Sequence, residues 1–341
     1  MRALCVILGW QVLGSVSSLS AQEAGITSPV GLVETLVPGP ATAGSSQSTM
    51  IANTLRNPEL YEGVAASVGA FTAPSSQILN TGVTTWPTGQ WMDVPHICYI
   101  ENSAGAEEAY LITAVDVSTG AITLSTTFDL SSRYPSTPKF SIIKAHTFAS
   151  LFGSASSEVL FEQSTDSNVA DNVFLWNGNS WTTYYHDGTA WLRLSPYGNA
   201  NDEVIFPDEG MFILRRGVGD ITLKFTGTVP PRTQISTVPG ERLTMINNRY
   251  PVGTKVIDLG LHLLPDWKTG SLSTADLFYV WNSNTWVTYY HNGTNWKKTG
   301  SFGNVNNEVL PANTALYVKR ISVSSALDSA NTHLLPYSVN Q

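Results

Sequence analysis

The sequence predicts an all-β protein of antiparallel meanders and hairpins, arranged in β-sandwich or barrel-like units. Three observations lead there. Helical periodicity is almost absent. Short alternating apolar and polar runs, bounded by Gly, Asn, Asp and Pro, recur along the chain. An aromatic-rich segment, residues 171–191, returns 105 residues later. The 341 residues are 42% hydrophobic and 13% charged, against about 25% charged in an average globular protein. So much apolar content excludes disorder over most of the length. At roughly 100–200 residues per domain, two or three domains are expected. Eighteen basic against 26 acidic residues exclude a phosphate-coating surface, so nucleic acid is not an expected partner.

Residues 1–21 read as a signal peptide. Arg2 is the positive start, and Ala3 to Val16 form an apolar run too short for a hydrocarbon core of ~30 Å. Ser17, Ser18, Ser20 and Ala21 are the small residues a cleavage after Ser20 or Ala21 needs. The mature chain then has 17 basic and 26 acidic residues, a formal −9, and a single cysteine, Cys98. One cysteine makes no intrachain disulfide and no Cys-rich metal site. It sits in the strand-like run His96-Ile97-Cys98-Tyr99-Ile100, where a buried inert thiol is expected. No later stretch reaches 18 apolar residues, so no transmembrane anchor is expected. The protein is expected to be exported: periplasmic, on the outer surface or extracellular.

An N-terminal β unit is placed at 25–145. Within it Ala109–Val115, Ser118-Thr119-Gly120 and Ala121–Ser125 read as a hairpin. Thr147 to Phe152 is the one plausible short helix, with Thr147 as N-cap and Gly153 as stop. A first aromatic repeat unit follows at 146–230 and a second at 231–325, before a C-terminal tail at 326–341.

In the duplication, Trp176, Trp181, Tyr184, Tyr185, His186, Gly188, Thr189 and Trp191 return as Trp281, Trp286, Tyr289, Tyr290, His291, Gly293, Thr294 and Trp296. Gly198, Asn199, Asn201 and Glu203 match Gly303, Asn304, Asn306 and Glu308. A one-residue deletion then aligns Leu214-Arg215-Arg216 with Val318-Lys319-Arg320. Asp187-Gly188 and Asn292-Gly293 suit two-residue hairpin turns. Counting outward from Asp187-Gly188 puts Tyr184 opposite Trp191, and likewise Tyr289 opposite Trp296. Asn177-Gly178 puts Phe174 opposite Trp181. Alternation separates two faces. Val173, Leu175, Thr182, Tyr184, His186 and Trp191 form the expected core face. Phe174, Trp176, Trp181, Thr183 and Tyr185 form the other. In the second copy that other face gains Asn295 and Lys297, so Trp281, Trp286 and Tyr290 are expected on a partly wet surface.

Three stretches carry a family resemblance: Tyr99–Glu108 followed by Leu111-Ile112-Thr113-Ala114; Ala145–Gly153; and the paired Ala-Asp…Trp…Tyr-Tyr-His…Trp segments with Arg215-Arg216 downstream. Through them nearly the whole mature chain resembles a family of uncharacterised exported proteins, found as expanded paralogous sets in verrucomicrobial bacteria. That family tends to have Gly where Glu108 stands, so this turn departs from it. The resemblance implies export and a β-rich fold. It implies no activity, substrate or site residue.

The chemistry the residues themselves offer is thin. The six histidines, His96, His146, His186, His262, His291 and His333, show no His-x-x-x-His or His-x-His spacing. His186 and His291 occupy equivalent turn positions, which points to a repeated structural hydrogen bond. Asp202-Glu203, Glu158, Glu162 and Asp93 are the carboxylates open to a hydrolase reading. Glu203 recurs as Glu308, which favours a strand-end role. Asp166-Ser167-Asn168 offers oxygen ligands for calcium, but Asp166 has Ser271 as its counterpart, so no cofactor is the expectation and calcium the alternative. Arg215-Arg216 and Lys319-Arg320 are expected as solvated strand ends. No catalytic, cofactor or metal residue is assigned, and no enzyme is expected. The leading reading is a non-catalytic β-protein acting by contact or assembly, with other surface proteins or glycans as partners and its oligomeric state open. The alternative is a carbohydrate-binding protein using Trp281, Trp286 and Tyr290, since aromatic faces stack on sugar rings. A secreted hydrolase is third.

Overall fold

The structure, a computed structural model, describes residues 29–73, 76–83, 93–264, 266–321 and 329–337. The signal peptide expected at 1–21 lies outside the described residues. Among the described residues the protein is nearly all β, with several antiparallel sheets and one short α-helix, Phe148–Phe152. That helix starts where the sequence places it. The Thr147 hydroxyl accepts from the Ser150 N–H while the Ser150 hydroxyl accepts from the Thr147 N–H. It stops at Gly153, whose φ of 86° suits glycine.

The first aromatic unit is a six-stranded antiparallel sheet. Its strands run in the order Gln47–Ala52, Gly210–Arg215, Asn172–Trp176, Trp181–His186, Trp191–Arg193, Gly198–Asn199. Across its inner face lies a ladder of Val30–Val37 with Ile221–Thr228. Between them Val173, Leu175, Tyr184 and Trp191 pack against Val37, Ile51, Phe148 and Phe225 in one buried core. The predicted core face is therefore the observed one.

The second unit repeats the plan. Leu243–Asn247, Ala315–Lys319, Leu277–Asn282, Thr285–His291 and Trp296–Lys298 form its sheet, and Thr233–Val238 pairs with Ser329–His333. Phe278, Tyr289 and Trp296 centre its core. Residues 329–333 of the expected tail are thus a strand.

The N-terminal boundary moves. Val30–Val37 and Gln47–Ala52 bury Val37 and Ile51 in the first aromatic unit, not in the unit that follows them. The separate β unit begins at Glu59–Val64 and ends at Lys139–Lys144, with its own core around Cys98, Ile100, Tyr110, Leu124 and Phe140. It is an insertion between the second strand and the helix of the first aromatic unit. Cys98 is fully buried, and burial pushes its thiol far up, so it is the inert thiol expected. The hairpin of Ala106–Asp116 with Ala121–Ser125 is also present.

Two registers differ from the sequence reading. His186, not Tyr184, faces Trp191, and Tyr184 faces Arg193. Trp176 faces Trp181. The cause is the first residue of each loop. Asp187 Oδ1 accepts from the Thr189 and Ala190 N–H groups at 2.7 and 2.8 Å, and Asn177 Oδ1 from Asn179 and Ser180 at 3.1 and 2.8 Å. These side-chain bonds close four-residue loops in place of two-residue turns. The slip is two residues, the side-chain period of a strand, so no residue changes face. Tyr289 likewise faces Lys298, and Trp296 faces His291.

Arg215 and Arg320 are not solvated. Both are buried, and their partners are the buried Asp171 and Asp276 at 2.6 and 3.6 Å from Nε. They also donate in the same way, Arg215 Nη1 to the Val37 carbonyl and Arg320 Nη1 to the Val238 carbonyl. Arg215 therefore corresponds to Arg320, and the spacing of 105 continues to the end of the repeat without the deletion.

Candidate functional site

Two of the three residues nominated as a ligand face, Trp281 and Trp286, lie at a joint between the two aromatic units. Their outer sheet faces pack on each other through Met50, Ala52, Met245 and Ala315, with Trp176, Phe212, Trp281 and Tyr317 against them. The contacts are reciprocal. Trp176 stands edge-on to Tyr317 at 5.4 Å, and Trp281 edge-on to Phe212 at 5.2 Å. Trp176 Nε1 donates to the Leu243 carbonyl at 2.8 Å, and Trp281 Nε1 to the Ser48 carbonyl at 2.9 Å. Each unit thus offers its tryptophan to the edge strand of the other.

Trp281 is therefore inside the joint with its N–H bonded. Trp286 is on the rim, 37% exposed, and its counterpart Trp181 is 36% exposed. Trp281 and Trp286 touch at 5.0 Å with their planes 71° apart, so the two indoles do not share a plane. Tyr290 is half-buried, opposite Leu277 and Lys297. The structure brings Trp281 and Trp286 together and leaves Tyr290 further along the strand.

The joint makes a testable demand at Gly210. A Cβ there would press into the Ala315 Cβ and come within 2.9 Å of Met245 Cε. Gly210→Ala should lower the melting temperature by forcing the sheets apart. Ala315→Gly, its positional counterpart, should restore much of the loss. Melts of both single variants and the double variant check this, and a double variant no better than Gly210→Ala contradicts it.

Three of the nominated carboxylates share one groove, and Glu162 lines another. Asp93, Asp202 and Glu203 line a groove of about 570 Å³ between the inserted unit and the first aromatic unit. Glu203 accepts from the Tyr184 hydroxyl at 3.2 Å and pairs with Arg193 at 3.2 Å. Glu308 does the same with Tyr289 and Lys298, both at 2.7 Å. The repeated acid is thus a strand-end tie in each copy. Glu158 accepts from the Ser154 and Ala155 N–H groups, which hold its carboxyl below the usual range. Asp166 closes a local turn onto Asn168. Among the described residues no three His, Cys, Asp or Glu side chains gather as a metal site.

A further cleft, about 340 Å³, was not foreseen. It holds Asp208 and Glu209 beside Trp176, Thr237 and Arg242. Burial pushes both carboxyls up, Glu209 to about 8. Asp208 lies 3.9 Å from the buried Arg249. A signal for it was present: at the constant spacing of 105 these acids face Asn313 and Thr314, an acid pair in one copy only. The supposed deletion hid that comparison.

His186 and His291 make the structural bond expected of them. Their Nδ1 atoms accept from the Gly188 and Gly293 N–H groups at 3.1 and 3.3 Å. No helix among the described residues is long and apolar enough to cross a membrane.

No family model and no curated protein matches the chain. Among solved structures it is similar to a chain of the VP16-VP17 complex, a complex of the two major capsid proteins of bacteriophage P23-77. The identity is 11% over 58% of this chain and 98% of that chain, with a TM-score of 0.18.

Proposed function

We propose that this is an exported, non-catalytic β-protein that acts by contact or assembly at the cell surface or outside the cell. Export rests on the order of Arg2, the apolar run and the small residues before Gln22. The observation that carries the rest is the fate of the aromatic residues. Trp176, Tyr184 and Trp191 and their counterparts Trp281, Tyr289 and Trp296 build two cores and the joint between them. Aromatic surface used that way is a device for a stiff, durable body more than for ligand capture. Glu203 and Glu308, the repeated acids, are engaged as ties.

One observation favours carbohydrate binding as the second reading. Trp181 and Trp286 both lie nearly parallel to Tyr317, at 27° and 28° and 6.0 Å, with their rims open to solvent. A glycan array probed with the mature protein and with Trp286→Ala separates the readings. Under the contact reading neither protein is retained. Retention of the native protein that Trp286→Ala abolishes would replace it with sugar binding.

A further inference from the structure

The second aromatic unit has a histidine where the first has a serine. His146-Thr147 pairs with Ile205 and Val204, and Thr254-Lys255 pairs in the same way with Leu310 and Val309. The next bonds match as well, the Phe148 and Val256 N–H groups donating to the Glu203 and Glu308 carbonyls. Counting on from these matched strands, Ser154 of the first unit corresponds to His262 of the second. In the first unit the backbone at this place serves two buried rings. The Gly153 carbonyl accepts from Trp191 Nε1 at 2.8 Å, and the Ser154 carbonyl from His186 Nε2 at 3.1 Å. In the second unit a side chain stands there instead. His262 stacks on His291 with ring centres 5.1 Å apart and planes at 27°. Both stand edge-on to Trp296, at 6.0 and 5.4 Å.

That difference leaves polar atoms unpaired. Trp296 Nε1 and His262 Nδ1 are buried with no hydrogen-bond partner, a costly state for either. His291 keeps its bond to the turn. Its Nδ1 accepts from the Gly293 N–H at 3.3 Å, so the neutral ring carries its proton on Nε2. A second proton would land on Nδ1 and set two donors against each other. The same bond argues against a metal on this pair, because a ring that ligates through Nε2 carries its proton on Nδ1. Burial holds both imidazoles below the ordinary histidine range, and His262 lowers His291 further. The charged groups nearby do not offset this. Asp266 and Asp276 are engaged by Arg320, Lys298 by Glu308, and Lys297 Nζ donates to the Gly303 carbonyl, while Asp258 and Lys268 are exposed. Among the described residues neither imidazole has a carboxylate as ion-pair partner.

We infer that the stacked pair is an acid-sensitive latch of the second unit, and that His262 is the residue that makes it one. Near neutral pH both rings are uncharged, and the Gly293 bond holds the turn from His291 to Trp296 against the core. Below the ordinary imidazole value of about 6.5, the opened chain takes up protons that the closed pair resists. Stability is therefore lost as the pH falls. A charge on one ring also opposes a second charge 5.1 Å away. The loss reaches the core, because Trp296 is fully buried at its centre. The first unit has one histidine at the matching place, with both ring nitrogens bonded to backbone. Its turn should stay closed over the same range.

Hydrogen exchange read by mass spectrometry on the mature chain tests this. It is run at about pH 7 and about pH 5, the range in which imidazoles change charge, with times scaled for the intrinsic exchange rate. Protection of residues 289–296 should fall several-fold in acid, while that of residues 184–191 should hold. His262→Ser, which installs the first unit's residue, should make the two segments respond alike. His262→Gln, neutral at both pH values and closer in size, serves if the serine variant does not fold. The readout is a difference between two pH values within one protein, so a uniform loss of stability in a variant does not produce it. Equal acid responses of the two segments in the native protein overturn the inference. So does an acid response of residues 289–296 that persists when His262 is replaced.

Discussion

Trp296→Ala should destabilise the second unit by about 3–5 kcal/mol, the usual cost of truncating a buried Trp. Its ring is fully buried. It touches Phe278 at 5.1 Å, His291 at 5.4 Å, Trp267 at 5.9 Å and His262 at 6.0 Å, so its loss opens a cavity lined by four rings. Against a typical domain stability of about 5–15 kcal/mol, that loss should be plain in a calorimetric melt. Trp286→Ala should cost less, on the order of 1–2 kcal/mol, because a third of that ring already faces water. Its neighbours Phe212 and Tyr317 keep their contacts with Trp281 and Trp176. The two variants also probe different places, one a core and the other the joint. Should Trp286→Ala cost as much as Trp296→Ala, the joint carries the stability of a core, and the units do not melt as separate bodies.

Asp171→Ala should cost a similar 3–5 kcal/mol for an electrostatic reason. Both oxygens of Asp171 are buried and shared. Oδ2 accepts from Arg215 Nε at 2.6 Å and the Glu162 N–H at 2.8 Å, while Oδ1 accepts from the Gly217 N–H at 3.0 Å and the Arg216 N–H. Removing the carboxylate strands a buried guanidinium and several amides. Pairing it with Arg215→Met should recover part of the loss, since an apolar side chain leaves no unpaired charge. Urea denaturation of the single and double variants measures both effects. A single-variant cost below about 1 kcal/mol would mean that water reaches Arg215 and the pair is a surface one in effect.

Much of this fold was legible in local patterns. The capped helix at Thr147 needed only a hydroxyl, a short apolar run and a glycine. The core faces followed from alternation, and they survived a wrong turn length because a two-residue slip preserves alternation. What misled the reading was also local. Asp187 and Asn177 look like two-residue turn formers, yet their carboxyl and amide oxygens bind the backbone two and three residues on. Arg215 looks like a solvated strand end until Asp171, distant in sequence, is placed against it.

The candidate site was less legible than the fold. A Trp on the second face of a strand is the same residue whether that face meets water, sugar or another sheet. The sequence alone determined the β class, the inward faces of both copies and the inert thiol, because each depends on spacing within one segment. Only the tertiary structure decided that Trp281 lies in a joint and that Asp208 and Glu209 share a cleft. It also decided that a whole β unit is inserted within the first aromatic unit. The matching segments were in the sequence from the start, Val37-Pro38-Gly39 with Val238-Pro239-Gly240 and Thr49-Met50-Ile51 with Thr244-Met245-Ile246. The insertion follows them in the first unit, so they recur at spacings other than 105, and a lost period removes the clue that links distant strands. Strand pairing joins residues through space, and the chain between them carries no record of its length.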